Sequence, residues 1–253
     1  MLLAVDVGNT HTVLGLYEGM ELAHDFRIES SKGRTSDEHL VLLLTLLDVA
    51  GVERRRIDAT IIASVVPSLT EPIVHATKRA FGHDALVVGP GIKTGMPILY
   101  ENPREVGADR IANAVAAYER TKGAVVVVDF GTGTNFDCVS AKGEFLGGAI
   151  APGMQIAAEA LFSRAAKLSR IPLARPPRAV GRNTTQSLQS GIVFGYVGLV
   201  DGLVDRIRED MGPCRVIATG GLASLVAPES RTIEEVVPNL TLEGLRILYE
   251  RNA

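Results

Sequence analysis

The sequence predicts an α/β protein built from two related halves. Apolar runs that are rich in β-branched residues alternate with helical segments, which is typical of this class. An opening pattern of strand, Asp-x-Gly, small polar residues, strand and Gly turn also occurs twice. Asp6 ends the first of these runs and Asp129 the second, nearly half a chain of 253 residues later. The repeat indicates a duplication, and we place the halves at residues 1–118 and 119–253.

Local patterns predict the remaining elements. In the first half we expect strands at 2–5, 12–17, 21–28, 59–66 and 85–88 and helices at 40–49, 68–81 and 111–117. In the second half we expect strands at 124–128, 136–140, 145–150 and 215–218 and helices at 155–168 and 188–211. Thr35 and Glu38 have the spacing of a capping box before the helix at 40–49. The prolines between residues 170 and 182 predict an irregular loop there.

Composition and charge favour small-molecule chemistry in the cytoplasm. The net charge of −3 gives no general attraction to nucleic acid or to an acidic membrane. Cys138 and Cys214 lie far apart without metal-ligand spacing, so we expect two reduced thiols. The apolar start is too short for a signal peptide, and no apolar run reaches the roughly 18 residues of a membrane span. We therefore expect a cytoplasmic protein with neither a nucleic-acid nor a membrane partner.

The two Asp-x-Gly hairpins are suited to binding phosphate. Gly8 and Gly131 permit close approach of the backbone, whose N–H groups bind anions, and the aspartates suit a neighbouring cation. One copy alone is equally an ordinary hairpin turn, but two matching copies favour phosphate. The sequence holds neither a GxxxxGK[ST] loop nor a helix-opening GxGxxG, which excludes two other nucleotide folds. Gly220-Gly221 suits close packing of adenosine, although by itself it is more typical of a helix-initiating turn.

An acid and a base stand together before the helix at 111–117, in Gly107-Ala108-Asp109-Arg110. An aspartate in a first helical turn is favoured by the helix dipole, so charge pairing is one interpretation. Gly107 opens the turn to a ligand, so a catalytic base at Asp109 is the other. The residues alone leave these two interpretations about equal.

The hairpins together resemble the superfamily of acetate kinase, sugar kinases, actin and the heat-shock chaperone ATPase domain. That resemblance implies two ribonuclease H-like halves with ATP in a cleft between them. The ordered motifs resemble those of type III pantothenate kinases over nearly the whole chain: Asp6-Val7-Gly8-Asn9-Thr10, Gly107-Ala108-Asp109-Arg110, Asp129-Phe130-Gly131-Thr132-Gly133-Thr134, Gly147-Gly148-Ala149-Ile150-Ala151-Pro152-Gly153 and Asn183-Thr184. This resemblance implies phosphorylation of pantothenate by ATP in the first committed step to coenzyme A. It further implies Mg²⁺ on the nucleotide and a homodimer.

The resemblance also assigns site residues. The first ATP loop comprises Asp6, Val7, Gly8, Asn9, Thr10, His11, Thr12 and Val13, and Thr132 contacts ATP in the second. Asp129 binds a monovalent cation, K⁺ or NH₄⁺. The pantothenate contacts are Tyr100, Gly107, Ala108, Asp109, Arg110 and Thr184, with Asp109 as the proton acceptor. This chain departs from the family at Gly133 and Asn135, where Ala and Thr are common.

Two rival functions fit the same fold. A nucleotide-binding regulator keeps the phosphate hairpins without turnover, and a different kinase phosphorylates another small hydroxy acid. The fold alone does not choose the acceptor. The presence of both Asp109 and Arg110 argues against the regulator.

Overall fold

The computed structural model describes residues 1–164 and 170–253. The described strands are β1 Leu2–Val7, β2 His11–Glu18, β3 Glu21–Glu29, β4 Ala59–Ser64, β5 Leu86–Val87, β6 Val125–Phe130, β7 Gly133–Val139, β8 Phe145–Pro152, β9 Arg215–Thr219 and β10 Glu235–Val236. The described helices are α1 Ser36–Val49, α2 Pro67–Phe81, α3 Ala108–Thr121, α4 Met154–Arg164, α5 Thr184–Met211, α6 Ala223–Val226 and α7 Leu240–Glu250. The predicted strands and helices are present, with bounds that differ by a few residues. The last four positions of the helix predicted at 155–168 lie outside the described residues.

The chain divides into two compact units. Unit 1 comprises Met1–Ala116 together with Leu240–Ala253, and unit 2 comprises Ala117–Asn239. The first division falls within α3, two residues before the boundary expected at 118. The final residues belong to unit 1, whereas the sequence placed everything after residue 118 in the second half.

The strand order of unit 1 is β3-β2-β1-β4-β5. β2 pairs antiparallel with β1 and β3, while β4 pairs parallel with β1 and β5. The alternate residues Leu3, Val5 and Val7 of β1 enter an apolar core with Leu43 of α1 and Leu69 of α2. This period of two places one face of the sheet under the helix pair.

Residues at the starts of helices α1 and α2 explain where these helices begin. The Glu38 amide donates to the Thr35 hydroxyl oxygen at 3.3 Å, and the Thr35 amide donates to the Glu38 carboxylate at 2.7 Å. The predicted capping box is therefore confirmed. Pro67 occupies the first turn of α2, and Pro72 lies inside the helix rather than near its start.

Helix α7 belongs to unit 1 because long-range contacts fix it there. It packs against β1, β2 and β4. A Cβ on Gly244 would lie 1.9 Å from the Ala112 carbonyl oxygen of α3, so only glycine permits this approach. The Thr241 hydroxyl also donates to the Asn113 side-chain oxygen at 2.8 Å. No local pattern in the sequence predicts such contacts.

Unit 2 repeats the topology of unit 1. Its strand order is β8-β7-β6-β9-β10, with β6, β7 and β8 antiparallel and β9 parallel to β6 and β10. Val126 and Val128 of β6 pack in one core with Ile192, Val200 and Val204 of α5. The matching strand orders confirm the predicted α/β fold of two duplicated halves.

Helix α5 begins at Thr184, four residues before the predicted start. The Asn183 side chain caps it by accepting a hydrogen bond from the Gln186 amide at 2.9 Å. Within the described residues, α5 is long and apolar enough to cross a membrane by length and composition alone. The sequence was expected to contain no such segment. Several of its apolar residues, including Val200 and Val204, are buried in the core of unit 2, as the same composition allows for a core helix.

Candidate active site

The first Asp-x-Gly hairpin connects β1 to β2 in unit 1. Asp6 is half-buried within β1 and pairs with Val13 of β2, and the Gly8 amide closes the turn by donating to the His11 carbonyl at 3.1 Å. Asn9, Thr10 and His11 are exposed. The sequence-predicted loop at residues 6–13 is therefore one continuous hairpin whose tip faces solvent.

The end of β3 supports this hairpin. The Ser30 amide donates to the Thr10 carbonyl at 3.0 Å, and the hydroxyls of Thr12 and Ser30 lie 2.8 Å apart in a buried hydrogen bond. The side chain of Thr12 is thus occupied within the protein. This bond supports the backbone of the hairpin.

Asp109 stands in the first turn of α3, where its neighbours make room for its carboxylate. The Arg110 amide donates to Asp109 Oδ1 at 2.8 Å. A Cβ on Gly107 would lie 2.4 Å from the same oxygen, so a side chain there would displace the carboxylate. Burial raises the pKa of Asp109, while the Arg110 amide and guanidinium act in the opposite direction. A carboxylate with a raised pKa is a stronger proton acceptor, as a general base requires.

Val65 links the turn that precedes Asp109 to the first hairpin, and no sequence pattern signals this role. A Cβ on Gly107 would lie 3.4 Å from Val65 Cγ1, so the turn that carries Asp109 packs on this residue. Val65 follows β4, and its amide donates to the Val7 carbonyl at 3.1 Å. In unit 1, Val65 therefore contacts both the turn that precedes Asp109 and the strand end that enters the predicted phosphate loop.

The second hairpin connects β6 to β7 in unit 2. Asp129 is half-buried within β6, and the Gly131 amide donates to the Gly133 carbonyl at 3.0 Å across the turn. Gly220 has φ +91°, and a Cβ there would lie 2.6 Å from Asp129 Oδ1. Gly131 and Gly220 thus leave space around the carboxylate. The predicted adenosine glycine lies against the predicted cation ligand.

Thr132, the predicted ATP contact of this hairpin, is exposed, and its backbone is held firmly. The Gly153 amide, just beyond β8, donates to the Thr132 carbonyl at 3.1 Å. A Cβ on Gly153 would lie 2.1 Å from that oxygen, so this approach also requires glycine. The glycine motif at residues 147–153 therefore supports the turn that carries Thr132.

The other predicted substrate residues lie in both units. In unit 1, Ala108 opens α3, Arg110 is buried, and Tyr100 is half-buried in an irregular segment before α3. Thr184 is the exposed first residue of α5 in unit 2. Within the described residues, no cluster of three or more His, Cys, Asp or Glu side chains forms a metal site.

Solved structures with this fold include both enzymes and a regulator. A ROK family glucokinase from Streptomyces griseus, solved with glucose and AMPPNP, aligns with a TM-score of 0.55 at 14% identity and 98% coverage of both chains. An inorganic polyphosphate/ATP-glucomannokinase from Arthrobacter sp. strain KM gives 0.53 at 14% identity, covering 100% of this chain and 99% of its own. A ROK family transcriptional regulator, a homologue of the E. coli MLC protein, gives 0.54 at 13% identity, covering 99% of this chain and 78% of its own. At these identities the likeness shows the fold alone.

Sequence relatives are far closer. A type III pantothenate kinase from Pelobacter propionicus is 60% identical over 254 residues, covering 100% of both chains. Another from Syntrophotalea carbinolica is 58% identical over 253 residues, covering 100% of this chain and 99% of its own. The family model described as type III pantothenate kinase matches residues 2–206. This chain therefore belongs to the type III pantothenate kinase family.

Proposed function

We propose that this protein phosphorylates pantothenate with ATP, the first step toward coenzyme A, and that Asp109 is the proton acceptor. Membership of the family over the full chain supports the reaction. The role of Asp109 rests on one observation. The turn that precedes Asp109 packs on Val65, and the Val65 amide is bonded to Val7 at the start of the first hairpin. A base next to a phosphate loop is what phosphoryl transfer to an alcohol needs.

In this mechanism the chain aligns the reactants and neutralises charge. The backbone N–H groups of the two hairpin tips hold the ATP phosphates. Arg110 pairs with the carboxylate of pantothenate, and Tyr100 and Thr184 are the other proposed contacts of this substrate. Asp109 then accepts the hydroxyl proton as the oxygen attacks the γ-phosphorus, and the bond from the γ-phosphorus to the bridging oxygen breaks to release ADP. Burial raises the pKa of Asp109, and this makes its carboxylate a stronger proton acceptor.

Two cations accompany the nucleotide in this proposal. Asp129 holds K⁺ or NH₄⁺, and Mg²⁺ binds with the phosphates. The residues fit such an ion because the half-buried carboxylate of Asp129 supplies oxygen ligands, and Gly131 and Gly220 place no side chain against it. When bound, the cations offset the negative charge of the phosphate oxygens.

We further propose a cytoplasmic homodimer. Apolar side chains are exposed on β8 and α4 of unit 2, namely Leu146, Ile150, Ile156 and Leu161. Exposed apolar groups of this kind commonly mark a contact between chains, and we assign this one to a second copy. Light scattering on the protein as it elutes from a size-exclusion column should give twice the mass of one chain. In Ile150→Glu the measured mass should shift toward that of a single chain. A single-chain mass for the unmutated protein would contradict the dimer.

The central experiment measures ADP formation with pantothenate in potassium-containing buffer. We expect one ADP for each pantothenate phosphorylated, identified by mass. A panel of other small hydroxy acids tests the acceptor. If another acid alone stimulates ATP consumption, the protein is a different kinase. If no acid does, while ATP still binds, the regulator becomes the better assignment.

A second experiment concerns the cation at Asp129. We expect activity in K⁺ or NH₄⁺ to exceed that in Na⁺ or Tris, and Asp129→Ala to remove this dependence together with most of the activity. Asp210→Ala, an exposed aspartate near the end of α5, is the matched control and should retain both. Full activity in Na⁺, unchanged by added K⁺, would make Asp129 a structural turn residue.

A further inference from the structure

Tyr196 lies near the middle of α5 and makes a polar contact that the reaction as described does not use. Its hydroxyl donates to the Pro152 carbonyl, the last residue of β8, at 2.8 Å. Its ring packs in the core of unit 2, and the side chain is 9% exposed. Burial raises the pKa of this hydroxyl, so the group stays protonated and donates throughout the neutral range.

The Pro152 carbonyl is shared with the second hairpin. Thr134, which is fully buried, donates its hydroxyl to the same oxygen at 3.3 Å. The next residue, Gly153, donates its amide to the Thr132 carbonyl at 3.1 Å. The short segment Pro152–Gly153 thus holds the hairpin at two points. Tyr196 in turn holds that segment.

We infer that Tyr196 is a positioning residue for ATP, which acts by fixing the orientation of Thr132 through Pro152 and Gly153. This inference rests on the proposed role of Thr132 as an ATP contact. Tyr196 touches neither substrate in this arrangement. Removal of its hydroxyl leaves Pro152 with one hydroxyl donor and permits the peptide bonds on either side of Gly153 to reorient.

The size of the effect follows from one hydrogen bond. A single hydrogen bond that orders a binding loop changes a binding constant by about 2- to 10-fold. The change should fall on ATP, because Thr132 and its support belong to the nucleotide site in this proposal. The pantothenate constant should move less than about twofold, since none of the proposed pantothenate contacts belongs to the hydrogen bonds that link Tyr196 to Thr132.

The test is Tyr196→Phe, which keeps the ring and removes only the hydroxyl. We expect the KM for ATP, and the Kd for a non-hydrolysable ATP analogue, to rise about 2- to 10-fold. Tyr118→Phe is the matched control, because the Tyr118 hydroxyl also faces a backbone carbonyl, that of Ala141 at 3.5 Å, in a turn at the other end of β7 and β8. Equal ATP constants in the two variants would overturn the inference.

Thr134→Val provides a second measurement of the same support. If both hydroxyls act through the Pro152 carbonyl, the double variant with Tyr196→Phe should weaken ATP binding by a factor that differs from the product of the single effects. If the double variant weakens ATP binding by the product of the two single effects, the two hydroxyls do not act through the same carbonyl, and that part of the inference is overturned. If Tyr196→Phe does not fold, Thr134→Val still tests whether a hydroxyl bonded to the Pro152 carbonyl affects ATP binding. Failure of the proposed function is distinguishable, because the unmutated protein would then show no pantothenate-dependent ADP formation.

Discussion

The two Asp-x-Gly hairpins differ by one residue in the length of the turn, but each receives a backbone hydrogen bond from the residue that follows the third strand. In unit 1 the amide just after the third strand, that of Ser30, donates to the carbonyl of Thr10 in the hairpin tip. In unit 2 the amide just after the third strand, that of Gly153, donates to the carbonyl of Thr132. Each hairpin is therefore supported by the strand that follows it. Both hairpins thus keep this backbone hydrogen bond as well as the aspartate next to the end of their first strand.

The supporting side chains differ between the two hairpins. Thr12 bonds to the Ser30 hydroxyl, whereas Thr134 bonds to a backbone carbonyl that also accepts from Tyr196. Behind the second hairpin, Gly220 at φ +91° lies against Asp129. The second hairpin is thus supported by a strand, a helix and a glycine turn. This additional support suits a site that we propose to hold both ATP and a cation.

The acid that we assign to catalysis is not duplicated. Asp109 stands on α3, and its surroundings, Gly107 and Val65, lie in unit 1. In the proposed function, the repeated parts bind phosphate, while the chemistry of the acceptor depends on a helix start that is not repeated. The predictions below test this division, from the largest expected effect to the smallest.

Asp109→Asn should lower kcat by about 10²-fold or more, because the amide keeps the shape of the carboxylate and cannot accept a proton. In the unmutated protein, kcat/KM should fall as the pH drops through the pKa of Asp109. Because burial raises that pKa, the fall should occur above the pH typical of an exposed aspartate. Steady-state rates across pH check both expectations.

Asp48→Asn is the control for that experiment, since Asp48 is an exposed aspartate on α1 of the same unit. It should leave unchanged both kcat and the fall of kcat/KM at low pH. Normal kcat in a folded Asp109→Asn variant would remove this residue from the mechanism.

Arg110→Ala should raise the KM for pantothenate by about 10- to 150-fold, because it removes a charge-assisted contact worth roughly 1.5–3 kcal/mol. The KM for ATP should change far less. Arg104→Ala, at an exposed arginine just before α3, should change neither. Steady-state kinetics with each substrate varied in turn measure the two KM values. Equal increases in the KM for pantothenate and the KM for ATP would indicate a structural role for Arg110.

Thr12→Val and Thr134→Val compare the two hairpins directly. Thr12→Val leaves the buried Ser30 hydroxyl without this partner and should cost about 1–3 kcal/mol of unfolding free energy. Thr134→Val leaves the Pro152 carbonyl still bonded to Tyr196 and should cost only about 0.5–1.5 kcal/mol. Denaturation curves of the two variants measure the difference. The reverse order would contradict the additional support assigned to the second hairpin.

Gly133→Ala should have the smallest effect. A Cβ at Gly133 would meet its nearest atoms, the Ala151 carbonyl and the Asn135 side-chain oxygen, at 3.5 Å, which is ordinary contact. We expect stability to rise by about 0.4–1 kcal/mol, because alanine restricts the unfolded chain. Gly153→Ala is the contrasting control and should destabilise the protein, since its Cβ would lie 2.1 Å from the Thr132 carbonyl. A loss of stability in Gly133→Ala would show that the backbone conformation at residue 133 requires glycine.

The sequence alone determined most of the elements and the repeated hairpins, because these depend on neighbours a few residues apart. It did not predict α6, α7 or β10. The capping box at Thr35, the strand ends at Asp6 and Asp129, and the helix start at Asp109 are all readable at that range. It also left two interpretations of Asp109 about equal, since neither burial nor Val65 is visible in the chain. The structure adds the packing against Val65 and the raised pKa.

Only the tertiary structure decided the contacts between distant segments. It placed α7 in unit 1 against Ala112, brought Gly220 onto Asp129, and aimed the Tyr196 hydroxyl at Pro152. These residues are separated by tens to more than a hundred positions, and each contact depends on a backbone approach of a few ångströms. Periodicity and spacing report which face of an element is apolar, but they carry no information on which distant atom that face meets.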